Sequence, residues 1–458
     1  MARAKKEAAL TPEERLQAAL VPDWEWPYKL PENWCWTKIG SISSLHRGVS
    51  YKKTDAHTER RENSCLVMRG GNICEGSIDT EADNIYVDIS LVAENQIVRK
   101  NDIIIVASTG STKVIGRAGI SKMDYLDVAF GAFLLLVRPS TKVNQRYIDY
   151  FFLSDNYRNR IKKLASGINI NNIRGEYITE TLVPLAPLAE QQRIVDRIES
   201  LFAKLDEAKE KAQAVVDSFE TRKAAILHKA FTGELTAKWR EEHGVSIDNW
   251  KTTRFDSVAA IRSNLVDPAE YQSFPHIAPD NIEKKTGVLL EYHTIAEDGV
   301  TSGKHRFYSG QILYSKIRPY LSKAVVVDFD GLCSADMYPI EAYQNARCLW
   351  YYMLSDEFLL QASTAGSRSV LPKINQKELS ALTVHLPTND REQEEIARIL
   401  DELFDKEQQT KEAAEVVLDQ IDLMKKSILA RAFRGELGTN DPIEESALEL
   451  LKRVLESK

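Results

Sequence analysis

Long hydrophobic runs, paired cysteines and Pro-Pro dipeptides are what this 458-residue sequence lacks. No stretch approaches 18 consecutive apolar residues, so we expect no membrane span. The first ten residues carry lysine and arginine but no apolar segment follows them, so we expect no secretory signal and a cytoplasmic protein. The five cysteines form no C-x-x-C pair, which argues against a disulfide framework and a zinc site.

Motifs for nucleotide, methyl-transfer or metal chemistry are also absent. No G-x-x-x-x-G-K-[ST] loop occurs, and the nearest approach, residues 299–304, has the wrong spacing. Without Pro-Pro, the chain cannot carry the N/D-P-P-aromatic tetrapeptide of DNA adenine methyltransferases. Asp280, Glu283 and Lys285 superficially resemble a nuclease triad, but their carboxylates are too close in sequence, and we interpret them as a turn. The eight histidines show no metal-ligand spacing. We therefore predict no catalytic residue, cofactor site or metal site on this chain.

The net charge of −7 at first argues against nucleic acid. However, residues 31–180 carry 20 Lys and Arg against 17 Asp and Glu, and residues 237–380 carry 16 against 18. The acidic excess belongs mainly to residues 381–458, with 11 against 18. Overall charge does not exclude a local basic surface, although it makes strong non-specific DNA affinity less expected.

An internal repeat organises the chain. Residues 190–235 align without a gap with residues 392–437, and the two copies end in AFTGEL and AFRGEL. In each copy apolar residues recur every three or four positions, interrupted by Arg222 in the first and by Glu407 and Thr410 in the second. Such a stripe is often simply helical core. Its 3.5-residue period over several heptads, without internal Pro or Gly, further predicts a coiled-coil helix, and Gly233 and Gly435 are placed to end it.

Two similar halves usually pack about a pseudo-two-fold axis, which would make the two long helices antiparallel. The segments before them have alternating strand patterns and repeat each other loosely. We therefore predict an α+β fold, with two similar mixed α/β domains separated by two long antiparallel coiled-coil helices. The predicted parts are an N-terminal arm with a short helix (1–30), a first mixed α/β domain (31–180), a first spacer helix (181–236), a second mixed α/β domain (237–380), a second spacer helix (381–437) and a tail (438–458), whose helix we expect to begin at Asp441.

Polar and basic loops are the remaining candidates for function. Arginine and lysine can contact guanine edges, asparagine can contact adenine, and hydroxyl groups suit phosphates. Ordinary surface loops have the same composition, so these assignments are hypotheses. In the first half the candidates are Arg47, Tyr51, Lys52, Lys53, Arg69, Asn72, Ser108, Thr109, Ser111, Lys113, Asn169, Asn171 and Asn172. In the second half they are Asn264, Asn281, Lys304, Lys316, Arg318, Tyr320, Ser367, Arg368 and Ser369.

The repeat, the proline-rich entry LVPLAPLAEQQRIV (182–195), the variable segment before each helix and the two closing motifs resemble the specificity subunit of type I restriction-modification enzymes. The resemblance covers essentially the whole chain. The second entry, LTVHLPTNDREQEEIA (382–397), departs from the first in having one proline instead of two.

The resemblance implies that each recognition domain reads one half of a split, asymmetric site in double-stranded DNA, with the helix pair setting the gap. It further implies two modification subunits, docked on the outward faces of residues 190–232 and 392–434, that methylate adenine with S-adenosylmethionine. ATP-driven restriction subunits would join them. No cofactor is implied on this chain; S-adenosylmethionine, ATP and Mg²⁺ would bind the partners.

Two other classes of function stay open on the residues alone. A coiled-coil interaction scaffold whose variable domains bind proteins would show the same repeat. A self-sufficient methyltransferase or nuclease is disfavoured because its motifs are missing. Co-purification with a methyltransferase partner separates these alternatives.

Overall fold

The chain folds into two units of buried β-strands and long helices. The computed structural model describes residues 11–111, 113–166, 172–365 and 372–457. The first unit contains residues up to Glu210 together with those from Val417 onward. The second unit is Lys211–Val416. The predicted candidates Asn169, Asn171, Ser367, Arg368 and Ser369 lie outside the described residues.

The first half of the chain alternates short helices and strands. Its helices are α1 (Pro12–Ala19), α2 (Ile39–Ile42), α3 (Gln145–Leu153), α4 (Asp155–Ser166), α5 (Gly175–Thr179) and α6 (Leu188–Asp217). Its strands are β1 (Cys35–Lys38), β2 (Ser43–Arg47), β3 (Ser64–Met68), β4 (Ile73–Cys74), β5 (Ser77–Ile78), β6 (Tyr86–Asp88), β7 (Ile103–Val106), β8 (Ala118–Ile120), β9 (Val128–Phe130), β10 (Leu134–Pro139) and β11 (Leu182–Leu185).

The second half repeats this order loosely, again with eleven strands among the described residues. Its helices are α7 (Phe219–Phe231), α8 (Ala237–His243), α9 (Ile295–Asp298), α10 (Ala346–Met353), α11 (Asp356–Ala365), α12 (Gln376–Ala381), α13 (Asp390–Ala432) and α14 (Ala447–Glu456). Its strands are β12 (Trp250–Arg254), β13 (Ala259–Ile261), β14 (Leu265–Val266), β15 (Pro275–Ile277), β16 (His293–Thr294), β17 (Lys304–Phe307), β18 (Ile312–Ser315), β19 (Ala324–Val326), β20 (Gly331–Cys333), β21 (Met337–Ala342) and β22 (Thr383–Pro387).

An antiparallel sheet forms the middle layer of each unit. Its strand order is β2-β10-β7-β8 in the first unit and β13-β21-β18-β19 in the second. Because side chains alternate along a strand, Ile103 and Ile105 join the core shared with the helices, while Ile104 and Val106 join a separate core on the opposite face. β7, whose four residues are all apolar, is therefore buried on both faces.

The second sheet differs between the units. Among the described residues it has the order β6-β3-β9 in the first unit and β14-β17-β20-β15-β16 in the second. Both contain a parallel pair, β3 with β9 and β15 with β20. The second unit extends this sheet by β17 and β14, so the two recognition domains share a frame and differ on the face away from the helices.

A two-stranded ribbon joins each domain to its long helix. β1 pairs antiparallel with β11, which leads into α6, and β12 pairs with β22, which leads into α13. The start and the end of each domain therefore meet at one helix entry.

The long helices run antiparallel within each unit. In the first unit Asp206 pairs with Lys425, and Lys209 pairs with Asp422. In the second, Phe219 lies beneath Lys411 and Arg222 pairs with Glu407. As residue numbers increase along the first helix, the numbers of the residues that it contacts on the other helix decrease. The predicted antiparallel pair is therefore confirmed, and with it the α+β fold class.

The apolar seam differs in detail from the predicted stripe. Two of its three polar interruptions meet, since Arg222 Nε lies 2.7 Å from Glu407 Oε2. Val417 and Met424, which the periodicity places in the seam, are instead 40% and 48% exposed. The drift of a 3.6-residue helix away from a 3.5-residue pattern carries such positions out of a short contact.

The first long helix is interrupted at one residue, where a single helix is expected. α6 ends at Asp217 and α7 begins at Phe219, while α13 is continuous over 43 residues. The Ser218 hydroxyl donates to the Ala214 carbonyl at 2.5 Å, and such a bond to the preceding turn bends helices. Gly233 and Gly435, with φ of 79° and 74°, follow the helix ends as predicted.

The tail helix begins later than expected. Residues 441–444 form a turn in which the Asp441 carboxylate accepts from the Ile443 amide at 3.1 Å. Ser446 caps α14 by accepting from the Leu448 amide. The expected start at Asp441 is therefore wrong, because that carboxylate caps a turn instead of a helix. Among the described helices, none combines the length and the apolar character needed to cross a bilayer.

Candidate nucleic-acid interface

A buried carboxylate anchors the first domain to its long helix. Glu190, at the start of α6, is fully buried. It accepts hydrogen bonds from Trp34 Nε1 at 2.7 Å and from Asn440 Nδ2 at 2.8 Å. The indole belongs to the domain entry and the amide to the segment after α13. A buried charge is stable only when it is paired or hydrogen-bonded, so this carboxylate ties three segments of the first unit together.

The second unit repeats this anchor with an additional charge. Glu392 is fully buried and accepts from Trp250 Nε1 at 3.0 Å and from Thr236 Oγ1 at 2.8 Å. Arg240 adds an ion pair at 2.8 Å. Glu190 and Glu392, which correspond in the repeat, therefore each accept from the indole of a tryptophan at the entry of their domain.

A second matched cluster fixes the last helices of each domain against the long helices. Arg146 donates to Glu199 at 2.9 Å, and the Tyr150 hydroxyl lies 3.5 Å from the same carboxylate. In the second unit Arg347 and Tyr351 both donate to Asp401. The first cluster also contains Asp149, a buried carboxyl whose pKa burial raises to about 7 although Arg146 opposes the shift. These contacts set the orientation of the domain on its helix.

The loop after β7 brings two of the predicted residues together. Ser108 forms an isolated bridge with Asn172. The amides of Ala107 and Ser108 both donate at 3.0 Å to the carbonyl of Phe133. Phe133 is 69% exposed. It is not among the candidates predicted from the sequence; the signal that could have found it is an aromatic side chain in the turn between two buried strands.

A cleft beside Phe133 brings further predicted residues together. Tyr51, Lys53 and Arg69 line a cavity of about 540 Å³ whose wall includes Phe133. Arg69 forms an ion pair with Asp83. The first unit therefore presents a phenol, an exposed phenyl ring, one lysine and one paired arginine beside the Ser108 loop.

The predicted asparagines Asn72 and Asn281 form turns. Asn72 is fully buried; its Oδ1 accepts from the Arg69 amide at 2.7 Å and its Nδ2 donates to the Asp79 carbonyl at 2.9 Å. Asn281 accepts from the Ala278 amide and donates to the Glu291 carbonyl, both at 2.8 Å. Since their amide groups are used internally, we leave both residues out of the proposed interface.

The loop after β18 is the counterpart of the Ser108 loop. Ile317 forms a bridge with Lys373, as Ser108 does with Asn172. The Lys316 amide donates to the Asp336 carbonyl at 3.0 Å, as the Ala107 amide donates to the Phe133 carbonyl in the first unit. Asp336 is therefore the counterpart of Phe133. Arg318 and Tyr320 of this loop are exposed. Equivalent backbone positions therefore carry different side chains in the two units.

Two of the remaining predicted residues in the second unit have internal roles. Lys304 is 7% exposed, donates to the Ser302 hydroxyl at 2.7 Å, and has its pKa lowered by burial. The Lys316 ammonium lies 5.4 Å from the ring centre of Tyr338. Neither ammonium is free to act as a mobile surface charge.

A stacked arginine in the second sheet was missed by sequence analysis. The Arg306 guanidinium carbon lies 4.8 Å from the ring centre of Tyr308, 5.4 Å from that of Tyr271 and 5.9 Å from that of Phe274. Its amide donates to the carbonyl of the predicted residue Asn264 at 3.3 Å. The sequence does not reveal this cluster, because the aromatic residues come from different segments and their contact with Arg306 depends on which segments become neighbours.

The other predicted side chains are at the surface. The exposed or half-exposed ones are Arg47, Lys52, Thr109, Ser111, Lys113, Asn172 and Asn264. Of these residues, Asn172 is brought to the Ser108 loop by the isolated bridge described above.

One histidine cluster lies in the second unit. Asp298 is 2.7 Å from His276 Nδ1 and 3.2 Å from His293 Nδ1, and the bond to His276 lowers the pKa of Asp298. Within the described ranges no group of three or more acidic, histidine or cysteine side chains is arranged to hold a metal ion.

The site offers hydrogen-bond donors and aromatic faces on loops, held by a rigid frame. Arginine, lysine and amide donors of this kind suit phosphates and base edges. The arrangement fits recognition of a polar, anionic surface such as nucleic acid.

Comparison with known proteins gives consistent matches. The model of the type I restriction modification DNA specificity domain matches residues 31–216 and 247–417. The specificity subunit of the type I restriction enzyme EcoDI from Escherichia coli is 40% identical over 304 residues, which cover 61% of this chain and 68% of that protein. The StySPI specificity subunit from Salmonella potsdam is 28% identical over 424 residues, covering 89% of this chain and 90% of that protein.

Solved structures share the fold. The HsdS subunit from Thermoanaerobacter tengcongensis has a TM-score of 0.59 at 18% identity, over 90% of this chain and 99% of that one. A chain from a structural study of assembly in a type I R-M system has a TM-score of 0.64 at 18% identity, over 90% and 100% of the two chains. With the DNA specificity domain matched twice, over most of its length, this chain belongs to the family of type I restriction-modification specificity subunits.

Proposed function

We propose that each unit of this chain reads one half of a bipartite, asymmetric sequence in double-stranded DNA. The observation that carries the proposal is the pairing of equivalent loops with different side chains. The Ser108 loop with Phe133 and the Lys316 loop with Asp336 occupy matching backbone positions. A common frame with different contacts suits two different half-sites.

The loops have the chemistry for base recognition. Arg318 can make a bidentate contact to guanine in the major groove, and Tyr51 and Phe133 can contact a thymine methyl group or a sugar. Exposed lysines such as Lys53 would contact phosphates, which position the protein without reading sequence. Buried anchors such as Glu190 and Glu392 would keep each loop in a fixed orientation on its helix.

The helices set the spacer and dock modification subunits in this proposal. Leu423 and Met424 of α13 are 63% and 48% exposed. Exposed apolar residues on a helix mark an interaction surface when they are adjacent. One modification subunit would bind near each domain and methylate adenine in that half-site.

The chain itself is proposed to be non-catalytic. S-adenosylmethionine would bind the modification subunits, and ATP and Mg²⁺ would bind restriction subunits that join the complex. The assembly would act in the cytoplasm, where it meets chromosomal DNA.

Methylome sequencing tests the function directly. Cells carrying the complete system should show adenine methylation at one split sequence, and deletion of this gene should remove it. Methylation that persists in the deletion strain, or that follows no split sequence, would refute the proposal.

Domain exchange assigns the half-sites. Replacing residues 31–180 with the equivalent domain of another family member should change one half-site completely and leave the other half-site unaltered. The unaltered half then belongs to the second unit. The control is the reciprocal exchange of residues 237–380, which should change only the other half; a change of both halves in either exchange contradicts one half-site per unit.

A further inference from the structure

The loop of residues 316–322 is strained and yet held in place. Arg318 and Ser322 have φ of 48° and 46°, a left-handed conformation that non-glycine residues seldom adopt. Pro319, which lies between the exposed residues Arg318 and Tyr320, is buried. Ser322 is also buried, while Tyr320 is 48% exposed. Such conformations persist only where the surroundings enforce them, and they concentrate at functional positions.

The loop is enforced from a neighbouring turn. The Lys285 amide donates to the carbonyls of Leu321 at 3.1 Å and Ser322 at 3.3 Å. Lys285 itself has a φ of 63°. Two residues later, a Cβ added to Gly287 would lie 2.2 Å from the indole of Trp350. The turn is therefore fixed between the loop and a buried tryptophan.

A lysine from the long helix α7 holds this turn. Lys223 is 8% exposed, and its Nζ donates to the carbonyls of Lys285 at 2.9 Å and Thr286 at 3.3 Å. The ammonium also lies 5.5 Å from the ring centre of Phe404 on α13. Carbonyl oxygens and an aromatic face stabilise the buried charge. A continuous path of contacts thus runs from the helix pair through the turn to the loop.

The other copy of the repeat lacks this path. Lys425 corresponds to Lys223 and lies 5.0 Å from the ring centre of Phe202, the counterpart of Phe404. Lys425, however, pairs with Asp206 on the facing helix. The position corresponding to Asp206 in the second copy is Gln408. Since Gln408 has no charge to attract the ammonium, Lys223 reaches into its domain instead.

We propose that Lys223 is a positioning residue for DNA recognition, which acts through the turn at Lys285 and Thr286 to aim Arg318 and Tyr320 at the bases of the second half-site. This inference rests on the proposed function. Discrimination by a bidentate arginine depends on its placement. Releasing the turn lets the strained loop relax, so recognition loses accuracy while the fold and the first half-site are retained.

The first test is Lys223→Met, which keeps the length and the apolar stem but removes the donors. The variant is assembled with its modification subunits, and methylation is sequenced over a library randomised in both half-sites. We expect discrimination in the second half-site to fall about ten-fold, at the same base positions that Arg318→Gly affects. Glycine adopts the left-handed conformation without strain, so Arg318→Gly removes the side chain alone. Lys425→Met is the matched control and should leave discrimination in both half-sites unchanged.

Gln408→Asp covers the case in which Lys223→Met does not assemble. It supplies Lys223 with the carboxylate that Asp206 supplies to Lys425, so the ammonium should turn to the helix and leave Lys285. We expect unchanged or higher thermal stability together with relaxed discrimination in the second half-site, a combination that a merely structural lysine does not produce.

The possible outcomes distinguish failure of the proposed function from failure of the role assigned to Lys223. If the wild-type complex selects no split sequence, the proposed function fails and this inference fails with it. If the wild type selects one and Gln408→Asp retains full discrimination, or the Lys223→Met positions differ from those of Arg318→Gly, only the inference is overturned.

Discussion

At the scale of the residue, the two copies of the repeat show which contacts belong to the frame. Glu190 and Glu392 are both fully buried and both accept from an indole of the domain entry. Among the ion pairs of the described residues, Glu392 has an arginine partner, Arg240, and Glu190 has none. The indole contact is therefore common to both units, while the charge that accompanies it is particular to one.

Asp149 is the residue whose titration should affect stability. Its carboxyl is fully buried with a pKa of about 7, and one of its oxygens, Oδ1, lacks a hydrogen-bond partner among the described residues. Because the folded pKa exceeds the ordinary value near 4, the folded state binds the proton more tightly than the unfolded state. Stability from this group is therefore present at low pH and is lost as the pH rises to about 7.

We predict that Asp149→Asn removes this dependence. Between pH 5 and pH 8 the wild type should lose on the order of 2–3 kcal/mol more unfolding free energy than the variant, since one pKa unit corresponds to about 1.4 kcal/mol. Urea unfolding of the full chain, followed by tryptophan fluorescence at both pH values, measures the difference. Parallel pH dependence in the two proteins would show that the carboxyl is not buried as described.

At the scale of the element, the long helices have two kinds of surface. Their inner faces carry matched contacts such as Lys425 over Phe202 and Lys223 over Phe404. Outside this seam in the first unit lie Val417, Leu423 and Met424, all at least 40% exposed. Apolar residues that leave the seam are available to a partner helix.

We predict that Leu423→Lys weakens the binding of one modification subunit about ten-fold or more, because an apolar anchor is replaced by a hydrated charge. Titration with purified modification subunit gives the affinity, and native mass spectrometry gives the number of copies bound. Ile443→Lys is the control, since Ile443 is 93% exposed but lies in the tail turn. Equal affinities of wild type and Leu423→Lys would exclude this face from docking.

At the scale of the whole molecule, the proposal makes helix length a determinant of the DNA spacer. Ala208 lies at the level of the pairs Asp206–Lys425 and Lys209–Asp422. A four-residue insertion in both helices at this level adds about one turn, or about 6 Å. Because four residues are close to one full turn, each seam is rotated by only about 40°.

We predict that insertions after Ala208 and Leu423 together lengthen the spacer by about two base pairs, given about 3.4 Å per base pair along DNA, and leave both half-sites unchanged. Methylome sequencing measures the spacer. An insertion after Ala208 alone shifts one seam against the other and should reduce assembly. A folded double-insertion complex with the original spacer length would contradict the idea.

Sequence reasoning found the frame because the frame is repeated. The gapless alignment of residues 190–235 with 392–437 indicated two long helices, and their antiparallel packing followed from the repeat. The two glycines, Gly233 and Gly435, correctly predicted where the long helices end. It failed at Asp441, because an aspartate followed by proline serves a turn as well as a helix, and only neighbouring contacts decide between them.

The candidate site was only partly predictable. Basic and polar residue types indicated the loops at Ser108 and Lys316, but Asn72 and Lys304 have the same composition signal and are buried. Phe133 and Arg306 were not found from the sequence, since exposure and stacking depend on which strands become neighbours.

The sequence by itself therefore determined two look-alike halves, their long helices and the family they belong to, because periodicity and repetition are properties of the chain. Only the tertiary structure decided which side chains reach the surface and how Lys223 connects a helix to the turn at Lys285, 62 residues away. Those contacts depend on distances between segments that the order of residues does not specify.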